Sequence, residues 1–288
     1  MPLTVRRFDN VDGFLEAAGD FLGAHEAEHN LIFGISSWLR AHPELVEHEP
    51  TFLSVADADG HVVAASLRTP PNYQVLSVVE DLDAVDALVD ALAAEELPGV
   101  LGPSQAAARF SELFTARTGR SGELGTAERI FRLERVIPPA RPAPGWWRLV
   151  EPRDRALLAR WIVAFSAEAV PDDPPIDDPD AVAGRWIERV GRLGYLWEDG
   201  GRPVCVVGAG GETPNGIRIG PVYTPPDLRG RGYASALTAA ASQDQLDRGR
   251  QFVFLFTDLA NPTSNKIYQA IGFEPVCDVD LYRFAGNA

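Results

Sequence analysis

The chain has 288 residues, enough for two domains, and its 45% hydrophobic content can fill their cores. Its net charge of −15 repels nucleic acid and anionic membranes and favours a cationic or amine partner. The apolar runs fall short of the roughly 18 residues that cross a bilayer, and the opening MPLTVRRFDN has no apolar signal core, so no membrane association and a cytoplasmic location are expected.

In chain order, helical spacing covers about 11–40, followed by strands near 51–56 and 61–68 joined by the turn Asp57-Ala58-Asp59-Gly60. A strand at 74–79 leads to a helix at 83–96. Then come a short strand at 99–102, a helix at 104–118 and a strand at 128–134. The stretch IPPARPAPG, residues 137–145, resists both helix and sheet and reads as a semi-rigid linker. It divides the chain into domains at 1–136 and 146–288.

The second domain repeats the order. A strand over 146–150 precedes helices at 153–168 and 180–192, separated by an acidic loop. Strands follow at 194–198, 203–209 and 216–224. A helix runs from near Gly232 to Gly249, and QFVFLF at 251–256 reads as a buried strand. Asn261 caps a helix with Pro262 at its first position, Gly272 ends it, and a last strand covers 273–284. The repetition lies in element order rather than residue identity and suggests a tandem duplication.

Cys205 and Cys277 stand far apart outside any paired motif, so neither a disulfide nor a metal site is expected; both read as buried strand thiols. All five histidines precede residue 62. His25 and His29 are four apart and are placed on a solvated helix surface, because no third ligand is near.

The chemistry concentrates in I-G-P-V-Y-T-P-P-D-L-R-G-R-G-Y-A, residues 219–234. A strand ends at Tyr223 or Thr224, and Arg229-Gly230-Arg231-Gly232-Tyr233-Ala234 leads into a helix. Free amides at a helix N-terminus, with the positive end of its dipole, hold phosphate. Glycines let the backbone approach closely, and the two arginines add local positive charge. The spacing is not G-x-G-x-x-G, which argues against a dinucleotide fold. Downstream, in N-P-T-S-N-K-I-Y-Q-A-I-G-F, Asn261, Ser264, Asn265 and Tyr268 share one helix face. Asn261 reads as a cap or a ligand contact, and Tyr268 as a packed aromatic or an acid.

These two motifs at this separation resemble the GCN5-related N-acetyltransferase (GNAT) family over residues 195–284, with the whole C-terminal half fitting its element order. The resemblance implies an α/β fold of two tandem GNAT-like domains, each a mostly antiparallel mixed sheet flanked by helices. It implies acetyl-CoA as acyl donor, no metal, and acetylation of a primary amine, with a small molecule as the expected acceptor. Main-chain groups of Val222, Tyr223 and Thr224 would bond the pantetheine arm, and amides from Arg229, Gly230, Arg231, Gly232, Tyr233 and Ala234 the pyrophosphate. Asn261 and Ser264 would touch the pantetheine. Tyr268 would protonate the departing thiolate, and an N–H near Val222 would polarise the thioester carbonyl. The family places its general base variably; Glu168, Glu198 and Asp258 are the candidates here.

Glu168, Asp172, Asp173, Asp177, Asp178 and Asp180 read as a solvated acidic loop or as a segment that draws a cationic amine to the acceptor site the resemblance implies there. At the matching turn the N-terminal half reads E-D-L-D-A-V-D-A, whose carboxylates would repel a pyrophosphate. It is therefore expected to be a degenerate copy that does not bind CoA. A silent acyl-CoA sensor and a protein N-acetyltransferase are the alternatives, and the sequence leaves the oligomeric state open.

Overall fold

The computed structural model describes residues 2–171 and 174–285. In chain order the first elements are β1 (Thr4–Phe8), α1 (Val11–Ala24), α2 (Asn30–Ala41), β2 (Thr51–Ala56), β3 (Val62–Arg68) and β4 (Gln74–Leu76). Then follow α3 (Asp83–Leu92), β5 (Gly99–Pro103), α4 (Ser104–Thr118) and β6 (Ser121–Leu133). The remainder comprises β7 (Trp146–Leu149), α5 (Arg155–Ala169), α6 (Pro179–Glu188), β8 (Arg192–Asp199), β9 (Arg202–Glu212), β10 (Gly216–Tyr223), α7 (Tyr233–Asp247), β11 (Phe252–Asp258), α8 (Pro262–Ala270) and β12 (Glu274–Ala285).

Two compact units result: Met1–Ile130 together with Val276–Ala288, and Phe131–Pro275. This differs from the division expected at 137–145. β12 ends the C-terminal half in sequence, yet it pairs antiparallel with β5, Val279 opposite Pro103 and Arg283 opposite Gly99. In turn Phe131 and Leu133, at the tail of β6, are buried in the core of the second unit. Each unit is completed by a strand from across the expected boundary, which local patterning cannot reveal.

Within each unit the strand plan is the same. In unit 1, β1–β2, β2–β3 and β3–β4 are antiparallel, and β4 runs parallel to β5. In unit 2, β7–β8, β8–β9 and β9–β10 are antiparallel, and β10 runs parallel to β11. Both are mixed α/β sheets, mostly antiparallel, covered by helices on two faces. In unit 2, Leu158, Trp161 and Trp186 of α5 and α6 pack on Leu196, Val206 and Tyr223. The other face buries Leu237 of α7 and Tyr268 of α8 against Cys205, Val207 and Val253. Burial of side chains of this size stabilises by about 1.5–3 kcal/mol each.

The helical region expected over 11–40 comprises two helices, separated between Ala24 and Asn30. His29 lies in this break, and it is not on a solvated surface. It is buried at 1% exposure, its Nδ1–H donates to Leu22 O at 2.9 Å, and its Nε2 accepts from Val78 N–H at 3.0 Å. A ring that accepts at one nitrogen and donates at the other is neutral, and burial pushes its pKa down to about 4. β1, absent from the expected elements, is an edge strand whose residues are mostly exposed, so hydrophobic patterning hides it. Cys205 is buried and Cys277 half-buried, and both are free thiols. Among the described residues no helix is long and apolar enough to cross a membrane.

Candidate functional site

The site is built where β10 leaves β11. Their parallel ladder holds only from Gly216–Arg218 against Phe252–Phe254. On its other side β10 stays paired with β9 through Val222 and Tyr223, opposite Val207 and Val206. Between these stretches the register shifts from Ile219 to Val222, a bulge that bends the strand and raises its twist. The backbone of Val222, Tyr223 and Thr224 is thereby left without a ladder partner on the β11 side, as an extended ligand with amide groups requires.

The chain then makes a short turn and starts α7. Gly230 and Gly232 hold φ of 76° and 84°, a left-handed conformation that L side chains rarely adopt. Gly232 is the N-cap and makes no side-chain cap bond, and the first turn of α7 carries no acidic residue. The first amides of α7, at Tyr233 and Ala234, thus face outward with the helix dipole behind them. The side chains around them point elsewhere. Arg229 Nε donates to Thr224 O at 2.9 Å, and its guanidinium pairs with Glu168. Arg231 donates to Asp227 O at 3.3 Å. Tyr233 is buried, its hydroxyl on Asp199 Oδ2. The turn therefore offers backbone rather than side-chain donors, with the arginines as local charge.

α8 flanks the opening from the β11 side. Asn261 is its N-cap, its Oδ1 accepting from Ser264 N–H at 3.1 Å, so the capping role is realised. Tyr268 lies two turns along, 8% exposed, edge-on to Phe273. Burial, with Cys205 beside it, raises its hydroxyl above the ordinary tyrosine value, so it is a held proton at any usable pH. Asn265 escaped selection although it shares this face. Its Nδ2 donates to Asp258 O and Asn261 O, at 3.0 and 2.9 Å. That leaves its Oδ1 buried and unpartnered, and Thr224 Oγ1, at the end of the other parting strand, is in the same condition. Buried polar atoms without partners are costly unless a ligand completes them. Thr224 and Asn265 lie on the two elements that flank the gap, and the unpaired backbone edge of Val222–Thr224 fits the amide-bearing arm of an acyl-CoA.

The candidate bases separate. Glu198 is buried in an ion-pair network: Arg148 holds it at 2.8 Å and Asp154 at 2.6 Å, and its role is structural. The same contacts raise the Arg148 pKa, with Asp154 the first cause. Glu168 is ion-paired with Arg229 and accepts from Tyr223 OH at 3.2 Å. Asp258, at the end of β11, accepts from Ala260 N–H at 2.7 Å and stands in no ion pair among the described residues. The acidic loop is also committed in part: Asp178 caps α6 through Ala181 N–H at 2.9 Å and Asp180 pairs with Arg155 at 2.7 Å. Asp172 and Asp173 lie outside the described residues. In unit 1, Asp57, Asp59 and His61 bring ligand atoms within 4.8 Å of one another. That turn is held by its own Asp57 Oδ1, which accepts from Asp59 and His61 N–H.

A parting pair of parallel strands, an uncapped glycine turn and a buried tyrosine on the following helix stand together in unit 2. Residues 158–273 match the acetyltransferase (GNAT) family, and this part of the chain is a GNAT domain. Among solved structures, a Drosophila protein is 15% identical with a TM-score of 0.68, the match covering 99% of both chains. A GCN5-related N-acetyltransferase from Sphaerobacter thermophilus is 19% identical with a TM-score of 0.56, covering 98% of this chain and 95% of its own. A tandem GNAT protein from the clavulanic acid biosynthesis pathway is 14% identical with a TM-score of 0.54 and is matched over 100% of both chains. At these identities the likeness is one of fold, and it extends over both units. No curated protein matches the chain.

Proposed function

We propose that this protein is a cytoplasmic N-acetyltransferase that moves an acetyl group from acetyl-CoA to the primary amine of a small molecule, by direct attack in a ternary complex. The observation that carries the reading is the Gly230–Gly232 turn, whose outward amides at the head of α7 stand beside the unpaired edge of β10. When bound, acetyl-CoA supplies the acyl group as a thioester. The α7 amides hold the diphosphate, the Val222–Thr224 backbone bonds the pantetheine arm, and Asn261, Ser264 and Asn265 line its other side. An N–H near Val222 is placed to stabilise negative charge on the acyl oxygen, a contribution of about 100- to 1000-fold where such donors are removed. Tyr268 gives its proton to the leaving sulfur. Asp258 takes the proton of the attacking amine, directly or through water. Holding both reactants in one geometry supplies much of the remaining rate.

The N-terminal unit, in this reading, is a degenerate copy that does not bind CoA. Its turn places Asp83 and Asp86 in the first turn of α3 and has no glycine pair. The test is an amine library with acetyl-CoA, reading thiol release. Acceleration by one or more small amines is expected, and slow hydrolysis unaffected by every amine would replace the enzyme with a binding protein.

A further inference from the structure

Arg192 is a cation of unit 2 with no ion pair among the described residues. It stands at the start of β8 and is half-buried. Its guanidinium donates through Nη1 to the carbonyl oxygen of Gly220 and lies over the Trp186 ring, 5.4 Å from the centroid. Burial, with the charge of Arg218 added to it, pushes its pKa down to about 10, so it remains charged at neutral pH. Charges withdrawn from water are ordinarily paired, and a lone one implies a task that outweighs its cost.

What Arg192 touches identifies the task. Ile219 pairs with Ala209 and Val222 with Val207, so Gly220 and Pro221 together face the single residue Gly208. That extra residue is the bulge, and it falls just past Arg218, where β10 and β11 cease to pair. Gly220 itself takes a φ of 146°, which favours glycine. Its carbonyl, turned out of the ladder, needs a donor from elsewhere, and a guanidinium supplies a charge-assisted one. Gly208 makes the space: a Cβ there would lie 3.0 Å from Arg192 Nη1, 3.0 Å from Gly220 O and 2.8 Å from Trp186.

We infer that Arg192 is a positioning residue for acyl transfer, which by holding the Gly220 carbonyl fixes the bulge that bends Val222–Thr224 away from β11 and aims their backbone at the thioester. The inference rests on the acyltransferase reading. It separates two jobs. The Gly230–Gly232 turn binds the diphosphate, and none of its contacts involves Arg192; the Arg192-held bulge sets the geometry of the reacting carbonyl.

The experiment compares the full-length wild type with Arg192→Met, Arg192→Lys and Gly208→Ala. Steady-state kinetics, CoA titration by calorimetry and crystal structures with CoA are the readouts. Arg192→Met is expected to lower kcat about 100-fold, the scale of a misplaced oxyanion donor, while CoA affinity falls by no more than about 10-fold, the cost of weakened pantetheine bonds to the shifted strand, because the diphosphate contacts are intact. Arg192→Lys, which still donates to Gly220, should recover at least about a tenth of the wild-type kcat. Gly208→Ala, pushing the guanidinium off its carbonyl, should repeat the kcat loss even if the methionine variant does not fold. An unchanged kcat, or a CoA affinity that falls as far as kcat, overturns the inference. Should the wild type release no thiol with any amine, the acyltransferase reading fails on its own. The crystal structures then decide for Arg192: displacement of Val222–Thr224 in the methionine variant upholds its hold on the bulge, and an unmoved bulge refutes it.

Discussion

β10 of unit 2 and β4 of unit 1 each run parallel to the next strand for a few residues and then turn into a helix. Beyond that shared plan the chemistry is opposite. In unit 2 the turn carries Gly230 and Gly232 with positive φ, an N-cap with no side-chain bond, and arginines on either side. In unit 1, Asp81 Oδ1 accepts from Asp83 N–H at 3.0 Å, and Asp86 is held by Arg109 at 2.9 and 2.8 Å. Just upstream, Val78 N–H is taken by His29. The backbone groups that unit 2 leaves open are thus satisfied internally in unit 1. A fold of this kind offers an anion site only where the sequence withholds its own acceptors from a helix start.

Gly232→Glu breaks the comparison most sharply. It imposes a side chain on a φ of 84° and puts a carboxylate where a diphosphate would sit. CoA saturating the wild type at about 1000 times Kd should stabilise it by about 4 kcal/mol. The variant is expected to show no CoA-dependent rise in Tm, whereas Asp83→Ala in unit 1 should leave the rise intact. A full shift in the glutamate variant would place the phosphate elsewhere.

Tyr268→Phe comes next. Losing a proton donor costs about 100- to 10,000-fold in rate, and a decrease of at least about 100-fold in kcat is expected with CoA affinity unchanged. Because burial raises the Tyr268 pKa above the ordinary value of 10.0, its ionisation should not limit kcat below that pH. An alkaline decline centred near pH 8 that disappears in the phenylalanine variant would contradict the assignment.

Much of this contrast was legible in the sequence, because it is local. The glycine turn, the Asn261 cap and the acidic start of α3 each depend on residues within a few positions of one another. What escaped depends on long-range partners. The buried His29 is held by Val78, 49 residues away. Glu198 looks like any strand-end acid until Arg148 and Asp154 surround it. Arg192 shows no signal at all, since its partner Gly220 lies on a different strand. The pairing of β12 with β5 follows from topology that periodicity does not encode.

His29 gives the comparison a pH axis. All five histidines precede residue 62, so unit 2 contains none. The folded His29 ring is neutral, with a pKa of about 4 against 6.5 unfolded. Its depressed value means that its contribution is full above about pH 6.5, shrinks as pH falls and is lost by about pH 4. The difference amounts to about 3 kcal/mol. Amide exchange should therefore show unit 1 loosening between pH 6.5 and 4 more than unit 2, and His29→Gln should flatten that dependence. Equal loosening of both units would show that His29 does not govern the transition.

Glu168→Gln carries the smallest expected effect and the most pointed question. Glu168 is the acid paired with Arg229 of the unit 2 turn, with the pair about half exposed, at 49% and 42% for the arginine and glutamate side chains. Exposed pairs of this kind contribute about 0–1 kcal/mol, so Tm should move by no more than a few degrees. The amide still bonds Tyr223 and Arg229, so the geometry survives while a negative charge leaves the neighbourhood of the diphosphate site. CoA affinity should rise slightly, by about 2- to 3-fold, as expected for relief of an exposed like-charge interaction. Glu168 is already occupied by Arg229 and Tyr223, so kcat should change by less than about 3-fold. A loss of 100-fold or more would instead make Glu168 the base, with Arg229 releasing it when the phosphates arrive.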